Sequence, residues 1–269
     1  MASSSDLLVW IDCEMTGLDV SIDELVEVAV VITDYDLVPV DPGFSVVIKP
    51  DQAAWDNMAE FVLNMHRESG LIEEIPHGVS LADAEFAVNE YILKFVPTAK
   101  TAPLAGNTIG TDRTFLAKYM PRVDSHLHYR SIDVSSIKEL SRRWFPRVYF
   151  NAPTKDGGHR ALADILESIR ELRYYREAVF VAEPGPTTEQ VQTIAARVVE
   201  AFAQPAELVV VQPFVNAGQA GVVLGIGLDH QIVEADLVAA QAGQRLDLAG
   251  VFRQQENLGA EHAGVAVLA

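Results

Sequence analysis

Two acids one residue apart, Asp12 and Glu14, close the apolar run Leu7 to Cys13 (LLVWIDC). Side chains alternate along a strand, so positions i and i+2 share a face. Two carboxylates held side by side repel unless something positive stands between them, and hard divalent cations take oxygen ligands. A strand end reaching solvent would explain the same pair without a metal. Cys13 points to the other face and reads as a small core residue. Asp112 opens a helix after a glycine-bounded loop, where a first-turn acid is ordinarily a partner of the helix dipole. Further on, Gly157-Gly158-His159 is followed by Asp164. Positions i and i+5 lie about 140° apart on an ideal helix. His159 and Asp164 therefore converge only if His159 lies on the entry loop, which the glycines permit. That geometry suits a base swinging over a metal site better than a ligand pair, which would use i and i+4. Four acids and one histidine are the parts of two-metal phosphodiester hydrolysis. Two cations about 3.5–4 Å apart clamp the attacking and leaving oxygens, and a histidine takes the proton.

The elements around these residues indicate an α/β layer fold. Val26 to Thr33 and Phe44 to Lys49 follow Leu7 to Cys13 as valine-rich strands. Ser80 and Asp83 then mark a helix start, with Val88, Tyr91, Ile92 and Phe95 at helical spacing and Pro97 as the stop. A strand around Leu104, a helix from Asp112 to Met120, a strand from Ser131 to Val134, and helices over Ser135 to Trp144 and Ala161 to Tyr175 complete the series. Three strands and then alternating elements predict a mixed sheet flanked by helices.

Composition changes after Glu183-Pro184-Gly185-Pro186, beyond which there is no Lys, Met, Trp, Tyr or Cys. The chain thus divides into 1–182 and a C-terminal extension, 183–269. Thr187 to Phe202 predicts an amphipathic helix with Thr187 and Gln190 as a capping box. Leu208 to Val211 could add a strand, and from about Pro205 onward no function can be assigned, a poorly ordered tail and a small docked unit being equal readings. The glycines between Gly221 and Gly227 do not form GxGxxG.

A net charge of −18 argues against a broad surface for duplex DNA, while leaving room for a small, deep site that meets few phosphates. Arg113, Lys118, Arg122, Arg130, Lys138, Arg142, Arg143 and Arg147 fall in one stretch, either solvated faces or a positive rim. No apolar run reaches the roughly 18 residues of a membrane helix. With one cysteine and no secretory signal visible, the sequence predicts a cytoplasmic protein.

Together, Asp12-Cys-Glu14-Met-Thr-Gly17-Leu18, Gly106-Asn-Thr-Ile-Gly-Thr-Asp112, His128 to Leu140 (HYRSIDVSSIKEL), and His159 with Asp164 closely resemble the bacterial oligoribonuclease family. These are DEDDh exonucleases of the ribonuclease-H-like fold, with a mixed five-stranded sheet. The resemblance runs from about Leu7 to Glu177. It implies a homodimer that degrades RNA of two to five nucleotides, dinucleotides above all, to mononucleotides with two Mg²⁺ or Mn²⁺ ions. By motif match, Asp12, Glu14, Asp112 and Asp164 are the metal ligands and His159 the general base. Ala163 stands where some relatives carry a further acid. Leu18 matches the leucine that wedges between two bases, and Phe61, followed by His66, stands where a stacking tryptophan is common. Thr108 replaces a frequent serine. Tyr129, Arg130, Ser135 and Ser136 match a cap that the partner subunit places over the 5′ end. Without the resemblance, Leu18, Phe61 and Tyr129 read as core. A sister DEDDh enzyme acting on longer single strands, proofreading-type or ribonuclease-T-like, is the nearest alternative. A non-catalytic binding module is a further one, although such proteins usually lose one of the five residues.

Overall fold

A computed structural model of the chain describes residues 7–154, 158–202, 208–216, 219–227 and 266–268, the last three stretches as backbone. Gly157 and Lys155 lie outside the described residues, as do Met1 to Asp6 and Pro205. The elements in chain order begin with β1 (Leu7–Met15), β2 (Leu25–Asp34) and β3 (Phe44–Val47). Helices α1 (Gln52–Asn57), α2 (Glu60–Glu68), α3 (Leu71–Glu74) and α4 (Leu81–Phe95) lead to β4 (Pro103–Gly106). Next come α5 (Gly110–Tyr119), α6 (Pro121–His126), β5 (His128–Asp133), α7 (Val134–Trp144), α8 (Pro146–Phe150) and α9 (Ala161–Val179). One compact unit ends at Glu183 and a second begins at Pro184.

The five strands of the first unit run β3-β2-β1-β4-β5, with β1 antiparallel to β2 and parallel to β4. A mixed sheet of five strands is the expected one. Alternation along β1 sorts its side chains. Leu7, Val9, Ile11, Cys13 and Met15 pack with α4 and α5, while Leu8 and Trp10 pack with α7 and α9. The Trp10 indole N–H donates to the Thr33 hydroxyl at 2.9 Å, so even the largest buried ring leaves no polar atom unmet. Ser80 caps α4 as expected, its hydroxyl accepting the Asp83 backbone N–H at 3.2 Å.

Several boundaries differ. β1 runs two residues beyond the apolar stretch, because its ladder with β2 continues through Cys13↔Val28 and Glu14↔Glu27 before a bulge at Met15. Asp12 and Glu14 therefore lie within a paired strand, not at a frayed end. The short helices α1 to α3, each too brief to show a clear period, fill the region between β3 and α4. β5 begins at His128, three residues before the expected start, its first residues being exposed and so lacking an apolar signal.

In the second unit, α10 (Thr188–Phe202) carries the expected capping box: Thr187 and Gln190 exchange backbone N–H groups for side-chain oxygens at 2.8 and 3.3 Å. β6 (Leu208–Asn216), β7 (Gln219–Gly227) and β8 (Ala266–Leu268) form an antiparallel sheet, β6 exceeding the four residues expected. Gly221, Gly225 and Gly227 are strand residues of β7, not a phosphate-binding turn.

Candidate active site

The face of β1 that carries Leu8 and Trp10 deeper in the core presents Asp12 and Glu14 at its far end. Helix α9 packs on that face and brings Asp164 in from its first turn. One ligand-capable oxygen from each of Asp12, Glu14 and Asp164 lies within 4.8 Å of the others. Asp112 arrives from the opposite layer. It sits in the first turn of α5 and accepts the Cys13 backbone N–H at 3.0 Å. All four acids line a single cleft of about 720 Å³.

Three of these carboxylates are held where ionisation is costly. Burial, reinforced by the charges of Asp112 and Glu14, lifts Asp12 well above the usual carboxylate range. Burial first, then the charges of Asp164 and Glu27, pushes Glu14 up to about 8. Burial pushes Asp112 up to about 7, against the lowering pull of its hydrogen bonds. No lysine or arginine lines the cleft among the described residues. The basic stretch is used elsewhere: Arg113 pairs with Asp124, Lys138 with Glu171, and Arg142 and Arg143 with Glu139. Lys118 reaches the loop that carries Leu18, donating to the Val20 and Ser21 carbonyls, and none of the stretch lines the cleft itself.

The remaining expected residues divide into two groups. Leu18, Phe61 and Thr108 line the cleft, and Leu18 and Phe61 are 79% and 78% exposed, so they are not core. Leu18 is held out by a loop closed on buried Asp23, whose carboxylate accepts the Thr16 hydroxyl at 3.0 Å and the Asp19 N–H at 2.9 Å. His66 is fully buried behind Glu14. Its Nε2 lies 2.9 Å from the Met15 carbonyl, and its Nδ1 has no hydrogen-bond partner and stands 3.9 Å from Glu14 Oε2. Burial lowers the His66 pKa. His159 precedes α9, outside the helix as its spacing from Asp164 requires, with an exposed side chain and a φ of 46°. It does not line the cleft, but it lies near enough to His66 for their charges to interact.

The second group does not line the cleft. Tyr129 and Arg130 stand on β5, an edge strand, where the Arg130 guanidinium lies 5.3 Å from the centre of an exposed Tyr129 ring. The Ser135 hydroxyl accepts the Thr108 N–H at 2.8 Å and donates to Asn107 Oδ1 at 3.0 Å. The Ser136 hydroxyl donates to Asp133 at 2.6 Å. Sequence reasoning missed three supporting residues: Asp23, Asn107, and Glu27, which is opposite Glu14. A buried acid inside the valine-rich run of β2 was the available signal for Glu27.

Comparison with known proteins identifies the family. The exonuclease family (RNase_T) matches residues 9–172. Oligoribonuclease of Leifsonia xyli is 75% identical over 200 residues, covering 74% of this chain and 97% of that protein. Oligoribonuclease of Streptomyces avermitilis is 55% identical over 193 residues, covering 72% and 96%. A zinc-bound E. coli exonuclease I complex with single-stranded DNA has the same fold, with a TM-score of 0.51 at 13% identity, covering 82% of this chain and 54% of that one. The chain is thus an exonuclease, a phosphodiester hydrolase, with the acid cluster in its cleft. Within that class, the chain belongs to the oligoribonuclease family of 3′→5′ exoribonucleases.

Proposed function

We propose that this exonuclease degrades very short RNA, dinucleotides especially, to nucleoside 5′-monophosphates, using two divalent ions held by Asp12, Glu14, Asp112 and Asp164. The observation that carries this reading is the trio of carboxylates within 4.8 Å, in a cleft that no basic side chain lines among the described residues. The donor set fits Mg²⁺ or Mn²⁺: all four groups offer hard oxygen, and burial, with the neighbouring acids, raises the pKa of Asp12, Glu14 and Asp112, a cost that a bound cation would offset. When bound, such ions supply charge to the scissile phosphate and acidify the attacking water.

The chain's own groups do the rest. His159, exposed at the entry of α9, takes the proton from water as general base. Leu18 and Phe61 present apolar faces at the cleft mouth where bases stack and separate. Phenylalanine keeps a stacking face without the indole N–H. His66 backs Glu14 and ties α2, which carries Phe61, to the end of β1 through the Met15 carbonyl. Thr108 offers its hydroxyl to the substrate.

The position of Tyr129 and Arg130 outside their own cleft supports a homodimer in which each subunit caps the other's substrate at its 5′ end. Ser135 and Ser136 anchor that cap, their hydroxyls being taken up by Asn107 and Asp133. Exposed Trp144 and Phe150 on α7 and α8 provide apolar surface for the dimer contact. A capped 5′ end excludes long strands, so few phosphate contacts suffice in a protein of charge −18. The lone buried Cys13, and the absence among the described residues of a helix long and apolar enough to cross a membrane, support a cytoplasmic setting.

Purified protein with Mg²⁺, given labelled di- and heptaribonucleotides, tests the reading. Dinucleotide should disappear first. Faster loss of the heptamer would instead place the enzyme with the exonucleases that act on longer single strands.

A further inference from the structure

Helix α9 begins without a cap of its own. Its N-cap residue is Arg160, which makes no capping hydrogen bond and offers no acceptor. Glu27, on the neighbouring strand and only 1% exposed, takes that place. One Glu27 oxygen accepts the Ala161 backbone N–H at 3.3 Å and Arg160 Nε at 3.2 Å. The other accepts Arg160 Nη2 at 3.1 Å and the Ser45 hydroxyl at 2.7 Å. The same guanidinium also donates to Glu74 at 2.9 and 3.1 Å. Arg160 is therefore clamped between carboxylates from β2 and α3, and a planar fork of five donors gives each of them two bonds at once, more than the three donors of an ammonium supply.

The consequences reach its neighbours on both sides. His159 has a left-handed backbone, which for a residue with a Cβ persists only where the surroundings impose it. Asp164 donates its N–H to the Arg160 carbonyl at 3.0 Å. The expected base thus takes its backbone position from the clamped residue that follows it, whereas the Asp164 bond is the ordinary backbone bond of the helix start.

We propose that Arg160 is a positioning residue for hydrolysis: the Glu27–Arg160–Glu74 clamp fixes the His159 backbone and the first turn of α9, and so sets the imidazole against the acid cluster. This rests on the reading of His159 as general base.

The test compares Arg160→Gln, Arg160→Lys and Glu74→Gln, each alone and combined with His159→Ala, on a diribonucleotide with Mg²⁺. Arg160→Gln should lower kcat about 100-fold, the scale of a misplacement near 1 Å, and leave KM within about twofold. Arg160→Lys should recover about tenfold of that loss, the scale of one charged hydrogen bond regained. In the His159→Ala background, Arg160→Gln should add less than about twofold, because the group it positions is gone. In protein freed of divalent ions, amide exchange should quicken at Ala161 and Asp164 in Arg160→Gln and stay unchanged along β1. Unchanged kcat in Arg160→Gln, or losses that multiply with His159→Ala, would overturn the proposal. If Arg160→Gln does not fold, Glu74→Gln, at the exposed end of the clamp with the Glu27 bridge left intact, carries the same cycle. Wild-type turnover in His159→Ala would sink the base assignment itself, an outcome distinct from any behaviour of the Arg160 variants.

Discussion

Neutralising one acid of the cluster should stabilise the metal-free protein while ending its activity. Glu14 is pushed up to about 8 by burial and by Asp164 and Glu27, against an ordinary value of 4.5. The folded state therefore binds this proton more tightly than the unfolded chain. Stability from Glu14 is complete below about pH 4.5 and is lost as pH rises through about 8. Asp112, pushed up to about 7, acts in the same direction. At 1.36 kcal/mol per pH unit, the Glu14 gap is worth on the order of 3–5 kcal/mol. At about 2–4 °C per kcal/mol for a domain of this size, Glu14→Gln should raise the midpoint by roughly 10 °C near pH 8.5. The assay is thermal unfolding followed by circular dichroism in EDTA, at pH 5.5 and pH 8.5, for wild type and variant. The wild-type midpoint should fall toward alkaline pH, and the variant should fall less and lie above it at pH 8.5. Adding Mg²⁺ should raise the wild type at pH 8.5 and move the variant far less. A wild-type midpoint that is flat or rising with pH in EDTA, or a variant less stable than wild type at pH 8.5, would refute the account of a charge-starved site.

Asp12→Ala should abolish turnover and leave far-UV circular dichroism unchanged; retained turnover would remove the metal assignment. His159→Ala should lose about 10²–10⁴-fold in kcat with dinucleotide binding preserved, as measured by titration under non-turnover conditions. Phe61→Ala should weaken dinucleotide binding by about 1–3 kcal/mol, and Phe61→Trp should bind at least as tightly as wild type. Tyr129→Ala should slow dinucleotide turnover more than heptamer turnover; equal slowing at both lengths would count against a cap. Gly17→Ala should raise KM, because a Cβ there would collide with the buried Asp23 carboxylate that closes the Leu18 loop; an unchanged KM would show that this loop does not set substrate affinity.

The sequence announced the sheet and its acids because their signals are local. Valine runs mark β1 and β2, and two-residue alternation puts Asp12 and Glu14 on one face before any contact is known. Five-residue spacing likewise excludes His159 from α9. What it could not announce depends on pairing register. Glu27 faces Glu14 only because β1 meets β2 in one alignment, and slipping that alignment by a single residue would move the acid to the other face of the sheet. Arg160 reads as an ordinary helix-start residue until Glu27 and Glu74, 133 and 86 positions away, are brought against it. The Ser135 hydroxyl, similarly, is tied to Asn107 and Thr108 only once β4 and β5 lie parallel.

The same division explains how the site can carry so much like charge. The acids expected to meet metal share a cleft that no basic side chain lines among the described residues, whereas Glu27, whose charge also bears on Asp12 and Glu14, is engaged by Arg160. Arg160 lowers Glu14 from beside the cleft without lining it, and Glu14 is still held well above its ordinary value. Spending that cation one strand over keeps the cluster short of charge and anchors the helix that completes it. The fold thus gives up stability in the cleft, as the proposed divalent-ion site requires, while the clamp beside it holds His159 in place.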